Sequence, residues 1–117
     1  MAQVLVVDDD PDQTEIRALI LEKFGHAVRT AGSVREAVEE FRNGEPDVVV
    51  MDLRLPRSED GAELIRALRR LSASVPILVI SGWPEDLASR PEAQMIDRIL
   101  RKPIRTQDLV GYLNEVA

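Results

Sequence analysis

Three short runs of apolar residues, rich in β-branched side chains and without polar alternation, stand out along the chain. They are VLVV at 4–7, DVVVM at 47–51 and PILVI at 76–80. Strands that are buried on both faces have this composition, because helices cover both sides of a parallel sheet. The pattern therefore predicts three buried strands, and weaker runs predict two more at about Ala27 to Thr30 and Arg98 to Arg101.

An amphipathic helix is predicted after the first strand. Asp10 can cap this helix with Pro11 in its opening turn, and Gly25 provides a left-handed stop at its end. Apolar residues at helical spacing predict the face that is turned to the core. This face consists of Ile16, Leu19, Ile20 and Phe24.

The later helices differ in the strength of their signals. SVRE at 33–36 has the spacing of a capping box before a second helix. A third helix is indicated by the apolar positions Leu64, Ile65, Leu68 and Leu71. The segment from Pro84 to Gln94 is a poorer helix, because Pro91 cannot continue one without loss of a hydrogen bond. A last helix is expected from about Thr106.

Strands and helices thus alternate five times with short connections. This order predicts an α/β fold, an open five-stranded parallel sheet with right-handed crossovers and helices on both faces. In such sheets, ligands bind at the carboxyl ends of the strands, beside the point where the strand order reverses. The sequence contains no evident linker or repeat, so we expect residues 1–117 to form a single domain.

Composition narrows the classes of function. With 117 residues and 44% hydrophobic content, the chain is long enough to build one core. A formal net charge of −6 argues against direct nucleic acid binding, which usually needs a basic face. There is no cysteine, no apolar run long enough to span a membrane and no signal segment. We therefore expect a soluble, cytoplasmic protein without membrane contacts.

Polar residues follow the predicted strands at one common edge of the sheet. They are Asp8, Asp9, Asp52, Ser81 and Lys102. Three carboxylates beside a single lysine would repel one another, and a divalent cation would relieve this repulsion. Carboxylate oxygens with room for water suit Mg²⁺, and the only histidine, His26, lies at the opposite end of a strand.

A carboxylate placed beside Mg²⁺ and a lysine can also act as a nucleophile toward phosphorus. The metal and the ammonium group offset charge on the phosphoryl oxygens while the aspartate attacks in line. The product of this attack is an aspartyl phosphate. The hydroxyl of Ser81 can then donate a hydrogen bond to a phosphoryl oxygen.

The motifs VLVVDDD, VVVMDLRLP followed by DG, VISG and RKPI, in this order, resemble the receiver domain of two-component response regulators. The chain is similar to the single-domain chemotaxis type over its whole length. The resemblance implies a flavodoxin-like, doubly wound sheet with strand order 2-1-3-4-5. It also implies phosphoryl transfer from a sensor histidine kinase or a phosphotransfer protein, and an output face that controls a downstream partner.

The same resemblance assigns roles to individual positions. Asp52 is the implied phosphoacceptor, and Asp8 and Asp9 coordinate Mg²⁺ together with Asp52 and the backbone carbonyl of Arg54. Ser81 is the implied hydroxyl switch residue and Lys102 the phosphate-contacting base, with a cis bond to Pro103. No enzyme activity is implied beyond self-phosphorylation at Asp52 and hydrolysis of its own aspartyl phosphate.

Three features depart from the family pattern. The loop PRSEDG has three residues between Pro56 and Asp60, one more than usual. Ile99 occupies the position of a switch residue that is usually Tyr or Phe, so a ring rotation cannot carry the signal. Pro91 interrupts the fourth helix, which commonly belongs to the output face.

Arg54 and Trp83, two residues after Asp52 and Ser81 respectively, are expected at the rim of the site. A long cationic side chain and an indole can cover a phosphoryl group and slow its hydrolysis. Asp10 and Asp12 are interpreted as a helix cap and a solvated acid of the first turn rather than as metal ligands.

Simpler interpretations and two other functions stay open at this point. The acids can form an ordinary surface cluster, and Ser81 and Lys102 can be a turn residue and a solvated lysine. The Asp-x-Asp in VVDDD also permits a phosphohydrolase of the haloacid-dehalogenase type, although position 12 is Asp where such enzymes usually have Thr or Val. Ile99 is compatible with a receiver-like interaction domain that works without phosphate.

Overall fold

The computed structural model describes residues 2–116 and contains one parallel sheet of five strands. The strands are β1 (Gln3–Val7), β2 (Ala27–Ala31), β3 (Val48–Asp52), β4 (Ile77–Ser81) and β5 (Arg98–Arg101). Their order in the sheet is β2-β1-β3-β4-β5, and every neighbouring pair is parallel. The predicted fold class and strand order are confirmed, and each predicted strand is correct to within one residue at either end.

In the described part of the chain, five α-helices connect and follow the strands. They are α1 (Pro11–Lys23), α2 (Val34–Asn43), α3 (Ser58–Leu71), α4 (Glu85–Ala88) and α5 (Thr106–Val116). The Asp10 side chain accepts the backbone N–H of Asp12, and Ser33 caps α2 through the N–H of Glu36. Gly25 follows α1 with φ of +92°, a value that favours glycine. None of the helices within residues 2–116 combines the length and the apolarity needed to cross a bilayer.

Alternate residues of the strands pack into two hydrophobic cores, one on each face of the sheet. Val4 and Val6 of β1 pack with residues from α1 and α5, including Leu21 and Leu113. Leu5 and Val7 of the same strand face α2 and α3 on the other side. Full burial of each such side chain stabilises the fold by roughly 1.5–3 kcal/mol. The two cores therefore hold the strands whose carboxyl ends carry the polar residues.

The predicted inner face of α1 is wrong. Three of its four residues are more than half exposed, namely Ile16 at 51%, Leu19 at 60% and Phe24 at 53%. The helix instead turns Thr14, Arg17 and Leu21 inward. Positions three and four apart share a helix face, so the line from 14 through 17 to 21 forms a consistent inner surface. Arg17 is drawn into this surface by Asp8, whose carboxylate it contacts at the end of β1.

The segment that contains Pro91 has little α-helix, as the sequence predicted. Helix α4 has only four residues, and a 3-10 helix over Pro91–Met95 fills the remaining distance to β5. Glu92 is buried there and accepts a hydrogen bond from Arg66 of α3 at 3.0 Å. Nε of Arg69 donates to the carbonyl of Met95. The short α4 is thus followed by a segment that is tied to α3 by arginine contacts.

Candidate functional site

The carboxyl edge of the sheet brings together the side chains of three strands. Asp52 ends β3 and Ser81 ends β4, while Lys102 directly follows β5. The backbone N–H of Lys102 donates to the carbonyl of Ser81 at 2.9 Å, so β5 enters its following loop beside β4. Nζ of Lys102 reaches across β4 and donates to Oδ2 of Asp52. The structure therefore places Asp52 and Lys102 in direct contact, 50 residues apart in the chain.

Asp52 is a buried carboxylate whose two oxygens both have donors. Oδ1 accepts the backbone N–H of Arg54 at 3.2 Å, and Oδ2 accepts Nζ of Lys102. Its side chain is only 8% exposed, whereas that of Lys102 is 35% exposed. A buried charge is tolerated when it is paired and hydrogen-bonded in this way. The carboxylate is thus held at a fixed position at the end of β3.

Asp8 is also buried and paired, with a residue that the sequence interpretation missed. Oδ1 of Asp8 accepts the backbone N–H of Asp10 at 3.0 Å. Oδ2 lies 2.8 Å from Nη1 of Arg17, and both side chains are at most 6% exposed. Part of the repulsion expected among the acids is therefore relieved from within the chain. The sequence feature that could have revealed this ion pair is the position of an arginine on the same helix face as Thr14 and Leu21.

Asp9 has a different environment from its neighbour. It is exposed at the surface, but nearby protein atoms displace part of its hydration and raise the pKa of its carboxyl above the usual value. The charges of Asp8 and, more weakly, of Asp52 raise this pKa further. The three carboxylates thus interact electrostatically, and Asp9 is the one without a cationic partner among the salt bridges of residues 2–116.

Ser81 is completely buried at the end of β4. Its Oγ accepts the backbone N–H of Trp83 at 2.9 Å. Because the oxygen acts here as an acceptor, the hydroxyl hydrogen is available for donation to another group. Ser81 therefore links the floor of the site to the loop that carries Trp83.

Arg54 and Trp83 lie against each other at the rim. The guanidinium carbon of Arg54 is 3.7 Å from the centre of the Trp83 ring, within the range of a cation–π contact. Nη2 of Arg54 also donates to Oδ2 of Asp86 at 2.9 Å, and Ser58 donates to the same oxygen at 2.8 Å. These hydrogen bonds hold the pKa of Asp86 below its usual value. Asp86 was not singled out in the sequence, because nothing local marks its contact with Arg54.

The PRSEDG segment passes directly into α3, which begins at Ser58. Oδ2 of Asp60 accepts the backbone N–H of Arg57 at 3.0 Å, at the start of the helix. Gly61 packs so closely against the backbone after β3 that an added Cβ would collide with the carbonyl group of Leu53. Only glycine fits this contact without a shift of the backbone. The DG pair thus fixes α3 against the residue that follows Asp52.

Two further residues of the family pattern can be placed. The peptide bond between Lys102 and Pro103 is cis, as the resemblance implied. Ile99 is partly buried in β5 and packs on the core that faces α2 and α3. Its aliphatic side chain supports that core and has no ring to reorient.

The donor set at this edge is chemically suited to Mg²⁺. Asp8, Asp9 and Asp52 offer only carboxylate oxygens, which this cation prefers. His26, the one nitrogen ligand of the chain, binds the N–H of Ala2 near the amino end of β2. Within residues 2–116, no three His, Asp or Glu side chains form a ready-made metal cluster. The residues fit the ion in type and charge, with Arg17 and Lys102 occupying one oxygen each of Asp8 and Asp52.

Comparisons with known proteins agree with this geometry. A family model described as the response regulator receiver domain matches residues 4–114. The transcriptional regulatory protein TcrA of Mycobacterium tuberculosis is 38% identical over 98% of this chain and 46% of its own length. The response regulator MprA of Mycolicibacterium vanbaalenii is 35% identical over 95% of this chain and 48% of its own length. The chain thus spans less than half the length of these two relatives.

Solved structures show the same architecture. A response regulator receiver domain protein of Clostridium thermocellum has a TM-score of 0.89 at 26% identity, covering 99% of this chain and 94% of that one. The response regulator TrrA of Thermotoga maritima, crystallised in complex with Mg²⁺ and BeF, has a TM-score of 0.89 at 23% identity, with complete coverage of both chains. The second likeness concerns the fold alone.

Proposed function

This chain belongs to the family of response regulator receiver domains, and from that premise we propose that Asp52 is its phosphoacceptor. Receiver domains are the signalling modules of two-component systems. The observation that carries the proposal is the position of Asp52, which is buried at the end of β3 with Lys102 on one carboxylate oxygen. A sensor histidine kinase or a phosphotransfer protein is the proposed source of the phosphoryl group.

The transfer step follows from the geometry of Asp52. An oxygen of its carboxylate attacks the phosphorus in line, forming an O–P bond as the P–N bond of the phosphohistidine breaks. The departing imidazole takes up a proton. Lys102 contacts Asp52 before the reaction and offsets negative charge on the incoming phosphoryl oxygens. The backbone N–H of Arg54 holds the other carboxylate oxygen in place.

Mg²⁺ is the proposed cofactor. Asp8, Asp9, Asp52 and the backbone carbonyl of Arg54 would hold it, and the bound cation would neutralise charge on the phosphoryl oxygens. The pKa of Asp9 is raised first by partial loss of hydration and then by the negative charge of Asp8, and a cation at this edge would compensate that charge.

Ser81 and the rim residues are proposed to act after phosphorylation. The free hydroxyl hydrogen of Ser81 can be donated to a phosphoryl oxygen. Because Ser81 is bonded to the N–H of Trp83, its movement is transmitted to the loop before α4. Ile99 does not carry a ring rotation, so this loop is the proposed route to the output face. Arg54 and Trp83 are proposed to shield the phosphoryl group from water.

The partners are proposed from the class of protein. This chain spans less than half the length of both relatives named above, which are regulators. We place residues 1–117 in the cytoplasm as one receiver domain that controls a downstream protein or output domain. Its only chemistry would be self-phosphorylation at Asp52 and slow hydrolysis of the resulting aspartyl phosphate. The comparisons do not favour the phosphohydrolase or the phosphate-free interaction domain.

Trp83 offers a direct test of the site, because it is the only tryptophan and lies at the rim. Beryllium fluoride with Mg²⁺ mimics an aspartyl phosphate and is expected to change the fluorescence of the wild-type protein. Asp52→Asn is the matched control and should give no change at the same concentrations. An equal response in both proteins would contradict the assignment of Asp52.

A further inference from the structure

We propose that Arg17 is an internal counter-cation of Asp8 that Mg²⁺ must displace, and that it thereby sets the metal affinity of the site. This inference rests on the proposed function of the same site and concerns a residue outside its donor set. Its starting point is the 2.8 Å contact between Nη1 of Arg17 and Oδ2 of Asp8.

The contact occupies the carboxylate where the metal would bind. Oδ1 of Asp8 accepts the N–H of Asp10, and Oδ2 accepts Arg17, so each oxygen already has a donor. Both side chains are buried, which weakens the screening of their charges by water. A divalent cation that approaches Asp8 therefore meets a positive charge in direct contact with its ligand. The two cations compete for the same carboxylate.

A cavity beside Arg17 can accommodate its side chain after it leaves Asp8. Arg17 lines an open cavity of about 560 Å³ between α1 and the start of α5. One carboxylate, Asp10, lines the same cavity, together with the polar side chains of Gln13 and Thr106 and the cations Lys102 and Arg105. Movement of Arg17 from Asp8 toward Asp10 would bring its guanidinium to another carboxylate while the metal takes its place at Asp8.

The orientation of α1 is consistent with a site-directed role of this arginine. The helix leaves Ile16 and Leu19 exposed and buries Arg17, although apolar side chains were available for the inner face. If hydrophobic burial alone set the orientation of α1, the helix would turn Ile16 and Leu19 toward the core. The ion pair between Arg17 and Asp8 accounts for the orientation that the structure has.

The test compares Mg²⁺ binding to metal-free protein by isothermal titration calorimetry. Arg17→Gln removes the charge but retains a hydrogen-bond donor, and it is expected to bind Mg²⁺ about tenfold more tightly than wild type, equivalent to about 1.4 kcal/mol. Arg17→Lys retains the charge and should stay close to wild type. Arg66→Gln is the matched control, because Arg66 also pairs with a buried acid, Glu92, on the other face of the sheet. The Mg²⁺ affinity of Arg66→Gln should equal that of wild type.

A measurement on the wild-type protein does not depend on whether a variant folds. The side-chain Nε–H resonance of Arg17 should shift during the Mg²⁺ titration, while that of Arg66 should not. Equal Mg²⁺ affinities of wild type and Arg17→Gln, or an Arg17 resonance that does not shift during the titration, would overturn this inference and leave the proposed function standing. A wild-type protein that binds no Mg²⁺ would overturn the metal site of the proposed function together with it.

Discussion

Lys102 donates a hydrogen bond from Nζ to Oδ2 of Asp52, a carboxylate with only 8% of its side chain exposed. The ammonium group and the backbone N–H of Arg54 are the donors to this carboxylate among residues 2–116. Lys102 thus stabilises the folded protein before any phosphoryl group arrives.

Lys102→Ala should lower the free energy of unfolding by about 2 kcal/mol in metal-free buffer, because it leaves a buried carboxylate without its charged partner. The loss should be smaller in the double variant Lys102→Ala with Asp52→Asn, where no charge remains to be compensated. Urea unfolding of the four proteins in this cycle measures the coupling. Strictly additive effects would mean that the two side chains do not stabilise each other.

Replacement by asparagine should change the stability of the protein in opposite directions at Asp8 and at Asp9. Asp8→Asn leaves the buried charge of Arg17 without its partner, and a loss of about 3 kcal/mol is expected. Asp9→Asn removes an exposed carboxylate that interacts with two like charges, and a gain of less than about 1 kcal/mol is expected. Denaturant midpoints in metal-free buffer report both changes. A loss of stability in Asp9→Asn would contradict the repulsion among the acids.

Arg54 and Trp83 should slow the loss of the phosphoryl group. Arg54→Asn combined with Trp83→Glu removes the cationic and the aromatic cover, and phosphate release should be about tenfold faster if about 1.4 kcal/mol of barrier is lost. Asp86→Asn is a useful contrast, because it frees Arg54 from its carboxylate partner and should not accelerate release. Phosphate release after removal of the donor, in excess Mg²⁺, gives the rates. An unchanged rate in the double variant would show that these side chains do not shield the bond.

Tyr112 should make stability fall at high pH. Its hydroxyl is buried without a hydrogen-bond partner within residues 2–116, and burial followed by the charge of Asp97 raises its pKa from 10.0 to about 12. The folded state therefore holds this proton more tightly than the unfolded state. The resulting stabilisation is complete below about pH 10 and is lost as the pH rises toward about 12.

Tyr112→Phe removes both the titration and the unpaired hydroxyl. It should be more stable than wild type by about 1 kcal/mol at pH 8 and should lose less stability between about pH 9 and pH 11.5. Urea unfolding at a series of pH values compares the two slopes. Parallel curves for the two proteins would exclude Tyr112 as the source of the alkaline loss.

The strands and the placement of the polar residues were accessible from the sequence for a simple physical reason. A strand buried on both faces must be apolar throughout, so a run such as Val48–Met51 marks its own position. Parallel strands end at one edge, and Asp52, Ser81 and Lys102 could therefore be assigned to a common site. The local cap at Asp10 was equally visible.

The contacts that were missed are those in which an ion pair overrides the local pattern. Periodicity in α1 counts Ile16 and Leu19 as inner residues, but the attraction between Arg17 and Asp8 turns another face inward. The contact of Arg54 with Asp86 joins the loop after β3 to α4, 32 residues away, and no spacing rule indicates it. The geometry of these pairs depends on the assembled sheet.

The most direct test of the central claim is the mass of the protein after incubation with acetyl phosphate and Mg²⁺, combined with mapping of the modified peptide. The account predicts that wild type gains one phosphoryl group, that the group lies on Asp52, and that Asp52→Asn gains none. Equal labelling of wild type and Asp52→Asn, or a label on another residue of the wild-type protein, would contradict it.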